Sequence, residues 1–194
     1  MIDPRRHRTA QPPHDAAADP PPPALLAAAH ERLAGCGLDP RRWLLVDVAS
    51  QAAHLLAASG PVARWPVSTA AAGVDARQDS GGTPPGVHRI VRRLGLGGDP
   101  SAIYVSREPT GEVWDGGADP RDLILGRILV LAGCEEGINR GPGLDSQERY
   151  IYLHGTNHED RIGHPCSHGC VRLRRADVVD LAGRVRSGDP VVIL

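Results

Sequence analysis

The order of apolar and polar positions divides the chain into a polar lead-in, one short helical stretch and a long series of brief β-type runs. Residues 1–23 (MIDPRRHRTAQPPHDAAADPPPP) carry little apolar surface and end in four prolines. Too little can be buried there to offset the entropy of ordering, which predicts a disordered or extended arm. Residues 24–40 read as a short helix and linker: Ala24–Ala34 consists of helix formers with Leu25, Leu26 and Leu33, and Gly35 and Gly37 are stop signals. From residue 41 to 194 the pattern fits one domain. WLLVDVA, AAHLLAA and ARWPVST are short runs divided by turn residues, predicting a meander of two or three strands. Residues 73–86 form a polar loop punctuated by Gly and Pro. VHRIVRRLG alternates, SAIYVSRE and DLILGRILVLAG follow as strands, and ERYIYLHG is one more. Residues 174–186 place Val178, Val179, Leu181, Ala182 and Val185 near helical spacing, and DPVVIL ends the chain as a last strand. Many short strands with one late helix predict a mostly β domain.

Composition sharpens this picture by exclusion. The chain has 194 residues with 23 Gly and 18 Pro, no Phe and no Lys, so all 22 of its Lys-plus-Arg positions are Arg. Without lysine there is no phosphate-binding loop of the GxxxxGK[ST] type, no Schiff-base chemistry and no lysine dyad. Without Phe the core must come from aliphatic residues, which suits β packing. The net charge of −1 supplies no basic field for nucleic acid. No apolar run approaches the roughly 20 residues of a membrane span. Met1–Pro23 lacks the apolar stretch of a signal peptide, so the chain as given reads as unexported and cytoplasmic action is open.

The chemistry concentrates between His154 and Cys170, where His154, His158, His164, Cys166, His168 and Cys170 fall within one short stretch. A zinc site on His154, His164, Cys166 and Cys170 is one reading of such residues. It has to accommodate ligands set among Gly and Pro without a CxxC pair. A cysteine nucleophile with a histidine base explains more of the pattern. Ser167-His168-Gly169-Cys170 sets a thiol directly after a glycine, where backbone and substrate carbonyl approach closely and N–H groups can face an oxyanion.

His154-Gly155-Thr156 and Ser167-His168-Gly169-Cys170-Val171-Arg172-Leu173, with His154 and Cys170 16 positions apart, resemble the HGT and [ST]xGCxR signature of L,D-transpeptidases with the YkuD domain. Pro66–Thr69 (PVST) and Gly82–Gly86 (GTPPG) look like further family features, so the resemblance covers about residues 43–194. It implies a YkuD-like β-sandwich catalytic domain with one or two helices and no cofactor or metal. Cys170 would be the nucleophile, and His154 the general base, oriented by the carbonyl of Gly155. The backbone N–H groups of His168, Gly169 and Cys170 would form the oxyanion hole, with His168 also able to tune the thiolate. Arg172 would bind a substrate carboxylate or brace the loop, with Ser167 and Tyr152 beside the substrate.

The implied partners are peptidoglycan stem peptides or muropeptides, and carbapenem-type inhibitors by the same resemblance. A thioester on Cys170 would pass its acyl group to an amine, giving a 3–3 crosslink, or to water, giving L,D-carboxypeptidase or amidase action. The family reaction lies in the periplasm or cell envelope. A removed leader, a misassigned start or an enzyme of cytosolic muropeptides would each reconcile that with the N-terminus. Among the other polar residues, Cys166 reads as a spare loop thiol or a resolving one, and Cys36 and Cys134 as reduced thiols without an obvious partner. Arg149, Trp65 and Trp114 have packing or cleft roles open to them. Glu135 and Glu136 resemble a carboxylate pair only superficially, since neighbours on a strand point opposite ways.

Overall fold

Burial with a period of two organises the molecule. In the computed structural model, which describes residues 19–194, the run of apolar residues from Trp43 to Val46 forms β1 (Arg42–Asp47), and both of its faces are covered. Leu44 and Val46 turn into the main core, while Trp43 and Leu45 turn to the opposite face. β10 (Pro190–Ile193) repeats the arrangement beside it, with Val191 and Ile193 inward and Val192 outward. A strand covered on both faces reads as a continuous apolar run rather than an alternation, which is how both segments appear in the sequence.

The strands join one ten-stranded hydrogen-bonded sheet. β2 (Ala52–Ala57) and β3 (Gly60–Pro66) complete an antiparallel meander with β1. β10 runs parallel to β1 and antiparallel to β4 (Gly86–Leu94), which pairs with β7 (Ile124–Gly133). The hairpin of β5 (Ala102–Val105) and β6 (Glu108–Val113) extends from β7. A branch leaves β7 through β8 (Tyr152–Gly155), which pairs in parallel with β9 (Val171–Leu173).

Two helices close the structure, as a mostly β domain with one or two helices requires. α1 (Pro23–Gly35) lays Ala29 and Leu33 on the outer face of β1, β4 and β10. Its first turn begins with Pro, whose missing N–H has no helical partner to lose there. α2 (Arg175–Arg184) inserts Val178, Leu181 and Ala182 into the main core against β7 and β8. The strand reading of Glu148–Gly155 contracts to its last four residues, because Ser146–Tyr150 is built from turns. β6 has no apolar signature since all six of its residues are exposed, and β9 is only three residues long. The Pro-rich arm falls largely on residues 1–18, outside the described residues; Asp19–Pro22 has no helix or strand. Among the described residues no helix is long and apolar enough to cross a membrane.

Trp65 is fully buried on β3 in the centre of the main core, with Nε1 donating to Asp180 of α2 at 3.1 Å. Trp65→Ala is expected to lower unfolding free energy by about 3–5 kcal/mol in chemical denaturation. A loss under about 1 kcal/mol would place the tryptophan outside the packing that holds α2 to the sheet.

Candidate active site

The site is built on the β8–β9 pair. Its register opposes Leu153 to Val171 and His154 to Arg172. Leu153, Val171 and Leu173 enter the main core, so alternation turns Tyr152, His154, Cys170 and Arg172 to the other face. Cys170 packs there against the cluster of Tyr104, Ile128, Val130 and Tyr152. The residues proposed as base and nucleophile thus share one face of two adjacent strands.

His154 is buried, and its Nδ1 lies 2.8 Å from the carbonyl oxygen of Gly155. A carbonyl only accepts, so Nδ1 carries the proton and Nε2 keeps its lone pair. Burial, reinforced by the charge of Arg172, pushes the imidazole down to about 4. The Cys170 thiol donates to the carbonyl oxygen of Tyr150 at 3.3 Å rather than to the imidazole. Burial pushes this thiol up to about 11, against the backbone of Tyr152 and the cations Arg172 and Arg149, which favour the thiolate. At neutral pH the resting pair is therefore a neutral thiol and a neutral imidazole rather than a thiolate–imidazolium ion pair. Tyr150, whose carbonyl holds the thiol, has φ of +58°; a left-handed conformation in a bulky residue costs about 1–2 kcal/mol and recurs at functional sites.

The turn carrying Cys170 is braced from several sides. Ser167 is buried; its Oγ donates to the Cys170 carbonyl at 2.6 Å and accepts the Gly169 N–H at 3.2 Å. Thr83, from the GTPPG segment, donates to the Gly169 carbonyl at 2.9 Å and accepts the Ala70 N–H at 3.0 Å. Gly169 has φ of +131°, and a Cβ there would sit 3.1 Å from Ile151 Cδ1 and 3.2 Å from the Gly82 carbonyl oxygen, so glycine is required by both conformation and space. His168 is exposed, with Nδ1 3.4 Å from Asp122 Oδ2.

Arg172 is buried and forms an ion pair with Asp122, while Nη1 donates to the Cys166 carbonyl at 3.3 Å. Its position is that of a brace rather than an open anion receptor. Tyr152 is buried as well, its hydroxyl accepting from Arg107 Nε at 2.9 Å. Arg149 fastens the 75–82 loop by donating to the carbonyls of Ala76 and Gly82 at 2.8 and 2.9 Å. Trp114 lies under the Arg175 guanidinium at 4.6 Å, and Glu135 pairs with Arg32. Asp122, Arg107 and Asn157 were not singled out in the sequence, while Thr83 entered only as part of the GTPPG segment. Asn157 pins the loop that carries Asp122, donating to the Arg121 carbonyl at 2.8 Å and accepting the Leu123 N–H at 3.0 Å. Only its place beside His154-Gly155-Thr156 signalled it; Asp122, in a polar loop far along the chain, gave no local signal.

Among the described residues no group of three or more His, Cys, Asp or Glu is placed to hold a metal ion, so the zinc reading gains no support. A cleft of about 540 Å³, lined by residues 37–42, Arg89 and residues 186 and 188–190, lies away from this face.

Comparison with known proteins places the chain in a family. Residues 41–193 match the family model for YkuD, the L,D-transpeptidase catalytic domain. The chain belongs to that family. It is 32% identical over 82 residues to YkuD of Bacillus subtilis (strain 168), a match covering 37% of this chain and 50% of that protein. YkuD of Bacillus licheniformis matches equally, so the chain spans about half the length of these curated relatives. Among solved structures, L,D-transpeptidase 3 from Mycobacterium tuberculosis is 17% identical with a TM-score of 0.51, covering 81% of this chain and 62% of that one. An L,D-transpeptidase from Enterococcus faecium is 12% identical with a TM-score of 0.50, covering 80% and 50%. At these identities the shared property is the fold.

A thiol raised to about 11 predicts that alkylation of Cys170 keeps accelerating as pH rises well past neutrality, since only the thiolate reacts. Asp122→Asn leaves the cation of Arg172 uncompensated and moves the profile to lower pH. The expected gain is about tenfold in rate near pH 7, equivalent to one pKa unit. An unchanged or slower profile would show that the ion pair does not act on Cys170.

Proposed function

We propose that this protein is a cysteine-dependent L,D-transpeptidase acting on the stem peptides of peptidoglycan through a Cys170 thioester. One observation carries the reading: His154 and Cys170 share a face of β8 and β9, and the Gly155 carbonyl fixes the imidazole in the tautomer that leaves Nε2 as a base. Substrate entering the site brings the thiol within reach of that nitrogen, a tightening common between resting and substrate-bound geometries. The thiol proton passes to Nε2 as sulfur attacks the carbonyl of an L-centre in the stem peptide. Because the resting pair is uncharged, proton transfer and attack are coupled, and the thiolate need not wait exposed to water.

The main-chain N–H groups of His168 and Cys170 face the developing oxyanion, while that of Gly169 is shared with Ser167 Oγ. Collapse of the tetrahedral intermediate breaks the bond to the terminal D-amino acid, whose amine leaves with the proton from His154. An acceptor amine then gives its proton back to His154 as it displaces sulfur. A stem-peptide amine gives a crosslink, and water gives carboxypeptidase action from the same thioester. Ser167, Arg172 and Tyr152 serve this chemistry by positioning, through the bonds already described, and His168 is an exposed side chain on the same turn as Cys170. The fold is shared with a Mycobacterium tuberculosis L,D-transpeptidase 3 solved with a faropenem-derived adduct (TM-score 0.50), and we extend covalent β-lactam capture to Cys170.

With a tetrapeptide stem as donor, Cys170→Ala is expected to reduce D-amino acid release by at least about 10³-fold, and His154→Gln by about 10²–10⁴-fold. Mass analysis of products with and without an added acceptor stem separates crosslinking from trimming. A carbapenem should add its mass to the wild type and not to Cys170→Ala. Full turnover by the alanine variant overturns the proposal.

A further inference from the structure

Two of the four free thiols lie outside the site, and both sit at the ends of elements on the opposite side of the sheet. Cys36 directly follows α1, its N–H capping the carbonyls of Arg32 and Leu33 at 3.1 Å each. Cys134 directly follows β7, its N–H donating to the Val87 carbonyl on β4 at 2.9 Å. Roughly a hundred residues separate them in sequence, a span whose closure strongly restricts an unfolded chain. In the fold they pack, each partly exposed, against the same outer cluster of Trp43, Leu45, Val87 and Val192.

Neighbouring groups hold the two backbones together. One turn before Cys36, Arg32 pairs with Glu135, the residue after Cys134, at 2.9 Å. The same carboxylate accepts the Val87 N–H, so α1, β4 and the end of β7 meet at one point. Both thiols stand in the fields of Arg89 and Glu135, and a charge on Cys36 raises the Cys134 thiol. The sequence offered these cysteines no partner; the fold packs both against one apolar cluster.

We propose that Cys36 and Cys134 are a redox pair that closes into a disulfide under oxidising conditions, stapling α1 to the sheet. The oxidant is a disulfide, small or protein-borne. One cysteine thiolate attacks it and expels one thiolate, leaving a mixed disulfide on the protein. The second cysteine thiolate attacks the protein sulfur of that bond and expels the other. Two protein thiols thus lose two protons and two electrons, and the oxidant leaves as two thiols. Burial raises both thiols above their ordinary range, so closure quickens as pH rises. The consequence falls on α1, which buries only Ala29 and Leu33 and has no side-chain cap at its start. A covalent tie there keeps the helix on the domain independently of any acyl-transfer chemistry at Cys170.

The test uses the full chain carrying Cys166→Ala and Cys170→Ala, so that only the pair remains, treated with oxidised or reduced glutathione. Oxidation is expected to remove about 2 Da with no glutathione retained. It should also yield a Cys36–Cys134 linked peptide on non-reducing digestion and raise Tm by about 5 °C or more, reversibly on reduction. Adding Cys36→Ser should leave glutathione attached to Cys134 with no rise in Tm. The linked peptide is also sought in the wild-type chain, which removes any dependence on folding of the variants. Two glutathione adducts, two thiols still open to alkylation, or linkage only between molecules would each overturn the proposal.

Discussion

Everything at the site depends on the parallel pairing of β8 with β9. A parallel pair needs a crossover, and such connections are commonly helical. Here residues 156–170 make the crossover with nothing more regular than a single 3-10 turn at Glu159–Arg161, so the connection itself carries the Ser167–Cys170 turn. The short β9 is secured on its other side by Ser68, whose N–H donates to the Arg172 carbonyl at 2.9 Å and whose carbonyl accepts the Arg172 N–H at 2.8 Å. Three residues held between β8 and Ser68 fix the register that sets Cys170 and His154 on one face. A slip of one residue would turn Cys170 into the core.

Electrostatics follow from that placement. Putting Arg172 on the same face buries a cation beside the thiol and the imidazole, and Asp122 neutralises it. A buried pair of this kind adds little net stability, yet losing one partner is costly because the other charge remains. Its value lies in keeping the surroundings of Cys170 and His154 nearly uncharged, so that burial governs both groups and the resting site stays neutral. A neutral thiol is also less open to oxidation than a standing thiolate.

The sequence disclosed the parts of this arrangement that are local. Residues buried on both faces made β1, β7 and β10 visible as apolar runs, and the spacing in 174–186 showed α2. The paired signatures located His154 and Cys170 together with Gly155 and Gly169, whose backbones have local work to do. What stayed hidden depends on contacts across the chain. β6 is wholly exposed and has no period to read. Asp122 reaches Arg172 only because Asn157 pins its loop. Arg172, Ser167 and Tyr152 stood out as polar residues near a nucleophile, and the fold turns all three inward. Their residue types announced polarity; only packing decided what that polarity contacts.

The central claim is that the shared face of β8 and β9 makes Cys170 an acyl carrier served by His154. The most direct measurement is acid-quenched intact-mass analysis during turnover of a tetrapeptide stem, with peptide mapping of any adduct. The account predicts a transient gain equal to the stem peptide less its terminal D-residue, mapped to Cys170 as a hydroxylamine-labile thioester. His154→Gln should form the same adduct about 10²-fold more slowly or worse. Turnover with no adduct on Cys170 at any quench time, or equal acylation rates in the two proteins, would contradict it.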